Sequence, residues 1–129
     1  MLNQINWLKQ ILIFCFFFFL IFLSDSFNLF ADEINWTEVA NTSNKSQFID
    51  TSSIKYNNKG FLSVVTRYSE INPEDQKIIT SNSYLMAVDC ENRLFSKLPL
   101  NGELKQVKNW KKPNNDKFIK KTIINSCSY

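Results

Sequence analysis

The sequence predicts an α+β domain: an antiparallel β-sheet of about five to six strands, with a C-terminal helix packed on one face and tethered there by a disulfide. Three observations carry the prediction. Apolar and polar positions alternate with period two through Phe61–Ser69 and again through Ser83–Cys90. The end of the chain changes to helical spacing, with Ile119, Ile123 and Cys127 at i, i+4 and i+8. One cysteine, Cys90, falls on the strand-like part and a second, Cys127, on the helix-like part.

A segment of another kind precedes this domain. "MLNQINWLKQ" is polar with a single lysine, Lys9, and "ILIFCFFFFLIFL" is an unbroken apolar run from Ile11 to Leu23. A polar "SDSFN" and the tripeptide Leu29-Phe30-Ala31 follow. This is the order of a secretory signal peptide, and it predicts a signal over residues 1–31 with cleavage near Ala31. The expected location is exported, in the periplasm or at the cell surface. The alternative is a membrane anchor formed by an uncleaved signal. The apolar run alone makes about 20 Å of helix against a hydrocarbon core of about 30 Å, and extending it would bring Asp25 into the bilayer. Cys15 does not fit a lipoprotein cysteine, because bulky Phe14 precedes it and it lies inside the run.

Residues 32–129 then form a single domain of about 98 residues, cut from a chain of 129. That is near the small end of the range in which a core is self-sufficient. The chain has no histidine, which removes the commonest general base and the commonest metal ligand. No phosphate-cradling glycine loop and no internal repeat occurs. A Ser-His-Asp or Cys-His site cannot be built within one chain, and the pair Glu74 and Asp75 sits in a polar loop. The expectation is therefore no enzyme, no cofactor and no metal. Charge is unevenly spread: from Lys97 onward eight lysines face only Glu103 and Asp116, a local +6 in a chain of net +3.

The elements follow in order. "NWTEVANT" reads as a strand carrying Trp36 and Val39, and "SQFID" as a short second strand with Phe48 and Ile49. Asp50 is placed to cap a helical or 3₁₀ turn containing Ser52 and Ser53, with Ile54 dropping into the core behind it. "NNKG" is a turn in which Gly60 supplies positive φ. "FLSVVTRYSE" is the clearest strand, with Leu62, Val64, Thr66 and Tyr68 on one face. "INPEDQ" is a loop. The following strand puts Tyr84, Met86, Val88 and Cys90 on one apolar face, so Cys90 points inward. Asn101-Gly102 suits a two-residue hairpin turn and predicts a further strand pair, with Pro99 marking an edge. Finally, Pro113 and the Asn/Asp run precede an amphipathic helix whose outer face carries Lys117, Lys120 and Lys121. Those lysines oppose the helix dipole in its first half, so the helix depends on packing or a tether.

Cys90 and Cys127 are the two cysteines left after signal removal, and two cysteines in a small exported domain read as one disulfide. The alternatives are weaker. A reactive thiol needs a positive neighbourhood, whereas Asp89 and Glu91 flank Cys90. A zinc site needs more ligands than the chain has, and no CxxC spacing occurs.

With these pieces in place the order of landmarks resembles a known family. An export signal, Trp36, the "FID..SI" segment Phe48–Ile54, Asp89-Cys90, Trp110 and Cys127 follow one another as in the surface-adhesin protein E-like family of small exported bacterial proteins. The resemblance spans Trp36–Cys127. It implies a curved antiparallel sheet with a disulfide-tethered C-terminal helix, in agreement with the reading above. The family is named for members that bind host matrix and serum proteins. This chain departs from it in being lysine-rich and in lacking glycines near Trp110, so host adhesion does not transfer with the scaffold.

The functional expectation is an exported, non-enzymatic binding or cell-envelope module. In "KNWKK" the flat aromatic Trp110 stands among Lys108, Lys111 and Lys112, a combination suited to an anionic polymer. The alternative is a peripheral binder of anionic lipid or polysaccharide through the basic C-terminal region. Expected partners are a protein or an anionic envelope polymer, with peripheral membrane contact and a homodimer through a sheet edge also open. Export argues against nucleic acid.

Overall fold

A computed structural model describes residues 2–25 and 33–129. The chain divides into two compact units, Met1–Asp32 and Glu33–Tyr129. In the first, α1 (Leu2–Asp25) is one helix of 24 residues, about 36 Å long at 1.5 Å per residue. It includes the polar start of the chain, which contains no glycine or proline to stop it. This corrects the length argument against an anchor, since Leu2–Phe22 is long and apolar enough to cross a membrane. The expected cleavage point near Ala31 lies outside the described residues.

The second unit contains β1 (Trp36–Asn41), β2 (Lys45–Asp50), β3 (Lys55–Tyr56), β4 (Phe61–Ile71), β5 (Ile78–Asp89), β6 (Leu94–Leu98) and α2 (Lys117–Ser126). The strands make one six-stranded sheet in the order β1-β2-β4-β5-β6, with β3 paired to β4 off this path. Every pairing is antiparallel, so short connections suffice.

Alternation decides which face becomes the core. Leu62 lies opposite Val88 and Val64 opposite Met86, while Ile49 lies opposite Thr66. Ile49, Leu62, Val64, Met86 and Val88 have no exposed surface, and Ile119 and Ile123 of α2 close over them. Burial of such a side chain contributes about 1.5–3 kcal/mol relative to exposure. The Asp116 side chain caps α2 by accepting from the Ile119 amide at 3.1 Å, and Lys117, Lys120 and Lys121 are exposed. At the other end Cys127 is bonded to Cys90. The helix that opposes its own dipole is thus held by its apolar stripe, a cap and a covalent tether.

The turns follow their local chemistry. The Asp50 carboxylate accepts from the Asn35 amide (2.9 Å), the Ser52 amide (3.1 Å) and the Ser52 hydroxyl (2.6 Å). It thereby starts the 3₁₀ turn Thr51–Ser53. Gly60 adopts φ +82°, and Ile54 packs against the core. At the end of β5, Asp89 is buried. Its carboxylate accepts from the Asn92 amide at 3.2 Å and from the Asn92 side chain at 2.9 Å. Arg93 then takes φ +55°.

The hairpin expected at Asn101-Gly102 is not formed. The Gly102 amide donates to the Pro99 carbonyl at 2.8 Å, closing a turn one step earlier, and the chain enters a 3₁₀ turn at Leu104–Gln106. Glycine serves here for close approach. A Cβ on Gly102 would lie 2.9 Å from both the Leu98 Cβ and the Pro99 carbonyl oxygen. The chain regains the sheet only at Lys111, which bridges to Phe95.

Candidate functional site

Beyond the end of the apolar core, the helix-covered face of the sheet opens into a cleft of about 470 Å³. Strand periodicity places its walls. Gln47 of β2 lies opposite Tyr68 of β4, and Tyr68 lies opposite Asn82 of β5. Lys45 and Tyr84 continue the same rows, Lys97 enters from β6, and Asp116, Phe118 and Ile119 form the helix side. Phe118 meets Tyr68 edge-on at 6.3 Å between ring centres.

Within the cleft, buried Gln47 donates its Nε2 hydrogen to the Tyr84 hydroxyl at 3.0 Å, which leaves the phenolic hydrogen available to a ligand. Lys97 holds its Nζ 5.0 Å from the centre of the Tyr84 ring. Of the two acids nearby, Asp116 caps α2 and Glu70 lies exposed opposite Lys45. Among the described residues only Lys105 is ion-paired, to Glu103 at 2.9 Å. The hydrogen bond and charge of Glu103 raise the Lys105 pKa above the usual lysine value. Lys45 and Lys97 therefore present cations that no carboxylate neutralises at contact distance.

The "KNWKK" residues are distributed over two faces. Lys111 exchanges backbone hydrogen bonds with Phe95 (3.0 and 2.9 Å), and Phe95 lies opposite Val88. Directly paired residues share a face, so Lys111 belongs to the helix-covered face, as does Lys97. Trp110 is turned to the opposite face, where its ring packs 4.9 Å from that of Phe61. Trp110 is half-buried, whereas Lys108, Lys111 and Lys112 are exposed. On that second face Trp110 and Phe61 line a further cleft of about 380 Å³ together with Lys59 and Lys105.

A third constellation went unread in the sequence. On the face away from α2, the Arg67 guanidinium lies 4.4 Å from the Trp36 ring centre and 4.8 Å from that of Phe48. Its buried Nε has no hydrogen-bond partner. The stacking is worth about 0.5–2 kcal/mol, and it makes Arg67 the bracket joining β1, β2 and β4. Its only sequence signal is that Phe48 and Arg67 come into register, which single-strand periodicity does not reveal. The cleft was missed for the same reason: its walls come from five separate elements.

Chemically, the cleft offers two phenols, two amides and two cations beside the capping carboxylate of Asp116, which suits recognition of polar or anionic groups. Among the described residues no group of three or more His, Cys, Asp or Glu could hold a metal ion. Comparison with known proteins returns one informative result. The model of the Surface adhesin-E family matches residues 37–129. No curated protein matches, and no solved structure matches. The matched span contains nearly the whole sheet, both cysteines of the tether and α2. With its apolar N-terminal helix, the protein is of the exported or surface type, and the chain belongs to the Surface adhesin-E family.

Proposed function

We propose that the protein is a non-enzymatic binding module of the cell envelope that engages an anionic polymer or acidic protein through lysines Lys108, Lys111 and Lys112. Family membership supports the surface-binding role. The observation that carries the charge preference is the state of the C-terminal lysines: of the eight from Lys97 onward, only Lys105 has a carboxylate at salt-bridge distance among the described residues. Solvated cations on a disulfide-braced scaffold create a positive potential over this part of the surface. Trp110 packs against Phe61 on the face opposite Lys111 and anchors this segment to the sheet. After export the chain is either released from its signal near Ala31 or kept at the membrane by α1.

Co-sedimentation with envelope fractions tests the proposal. Capture should weaken as salt rises, and should fall in a Lys111→Glu/Lys112→Glu double variant with unchanged thermal stability. Capture that is insensitive to both salt and the double substitution contradicts it. Lys117, Lys120 and Lys121, exposed along the outer face of α2, favour a second reading in which anionic lipid is the partner. Vesicles containing phosphatidylglycerol would then replace the envelope fraction as ligand, and pure phosphatidylcholine vesicles would not.

A further inference from the structure

β5 is flanked unequally. β6 pairs with it only from Leu85 to Asp89, while β4 pairs with it along almost its whole length. From Ile78 to Tyr84, therefore, β5 is bonded on its β4 side and has no strand on the other among the described residues. Leu98 lies opposite Leu85, and at Pro99 the chain turns away from the lane that β6 would otherwise continue.

Open strand edges recruit other strands, and proteins usually protect them. The outer edges of β1 and β6 are protected, and β3 offers an edge of only two residues. β1 carries an irregularity between Glu38 and Ala40, and the outer edge of β6 is covered by the Lys111 bridge and ends at a proline. The segment "IITSNSY" has neither device. It contains no charge and no proline, and Ile78 and Ile79 are 62% and 63% exposed.

The cleft lies along this same edge, since Asn82, Tyr84 and Lys97 all line it. A strand added in the open lane would continue the line of β6. Pro99 of the chain itself follows Leu98 in this register. The first same-face residue of an added strand therefore lies opposite Asn82, roughly 13 Å along the strand from Lys97. The long side chains of lysine and glutamate together bridge that span. A carboxylate there reaches the Lys97 ammonium, and Lys45 adds a second cation to the cleft. We propose that the Ile78–Tyr84 edge of β5 receives an extended segment of an acidic partner protein by strand addition, with an acidic side chain seated in the cleft against Lys97. Main-chain pairing supplies the affinity and the cleft supplies the choice of side chain. The site uses Lys97 and the β5 edge instead of Lys108, Lys111 and Lys112, and goes beyond the charge-based reading above.

The test uses the full chain in mild detergent and a labelled synthetic octapeptide, Thr-Val-Glu-Val-Glu-Val-Thr-Val, with a Lys-for-Glu counterpart. Fluorescence polarisation should show binding of the acidic peptide, weakened about tenfold or more by Lys97→Glu, the scale of one lost charge pair. N-methylation of alternate peptide amides should abolish binding in one phase and spare it in the other, because only every second amide faces the edge. Amide exchange at Ile78–Tyr84 should slow in the complex. Equal binding of the lysine peptide, or protection outside β5, would overturn the proposal. So would indifference to N-methylation, or no binding of either peptide. A dimer seen by sedimentation that protects Ile78–Tyr84 without peptide would assign the edge to a second copy instead, and also overturn it. Envelope capture lost on Lys111→Glu/Lys112→Glu but kept on Lys97→Glu would uphold the proposed function independently.

Discussion

The two halves of β5 have similar lengths and a common partner, yet opposite fates. Its first six residues are all exposed and its last five are all buried. Both halves pair with β4. What differs is the second neighbour: Leu85–Asp89 has β6 beside it, and the rows of Met86 and Val88 have α2 above them. Pairing on one side therefore makes a strand, but it takes a flanking strand and a covering helix to make a core. The disulfide sits where the buried half ends, with Cys90 immediately after β5. One half of the strand is scaffold and the other is surface held out by that scaffold.

This contrast can be broken most severely at its tether. The bridge closes a separation of 37 residues, and replacing both Cys90 and Cys127 by serine should cost about 4 kcal/mol in urea unfolding by loop entropy. A loss below about 1 kcal/mol would mean that α2 holds its place without it. Next comes the core itself. Met86→Ala should cost roughly 3 kcal/mol through an unfilled cavity, whereas Asn82→Ala, on the same face of the same strand, should stay within about 0.5 kcal/mol. Equal losses at the two positions would erase the distinction between the halves. Asp116→Ala removes the cap of α2 and should cost about 1 kcal/mol, with Asp116→Asn recovering most of it. The smallest effect belongs to the exposed edge: Ile78→Thr and Ile79→Thr should each change stability by less than about 0.5 kcal/mol.

Much of the scaffold was legible because its causes are local. The alternation in "FLSVVTRYSE" predicts the buried row Leu62, Val64 and Thr66, and Asp50 predicts its own 3₁₀ turn. The i, i+4, i+8 stripe predicts α2, and two cysteines on facing elements predict their bond. The misreadings also have physical causes. Asn101-Gly102 carries the composition of a tight hairpin, yet Gly102 is used for close approach to Leu98 and Pro99, a demand visible only in three dimensions. The apolar run Ile11–Leu23 understated α1, because its polar flank contains nothing to end a helix. Within "KNWKK", strand alternation places Trp110 and Lys111 on opposite faces, a separation that depends on where the segment joins the sheet.

The sites were less legible than the scaffold. Arg67 meets Trp36 and Phe48 from three different strands, and the cleft draws Lys45, Gln47, Tyr84 and Lys97 from three strands. Such groupings depend on register between strands, which a pattern within one strand does not encode. The open lane beside Ile78–Tyr84 is harder still to anticipate, since it exists only because the chain departs at Pro99. The surplus of lysine from Lys97 onward was readable from composition alone.

Residue-resolved amide hydrogen exchange tests the division of β5 most directly. The account predicts that Met86–Val88 exchanges only through global unfolding. The outward-facing amides of Ile79–Ser83 should exchange orders of magnitude faster in the free protein, and slow when the acidic peptide is added. Uniform protection from Ile78 to Asp89 in the free protein, or no slowing with the peptide bound, would contradict it.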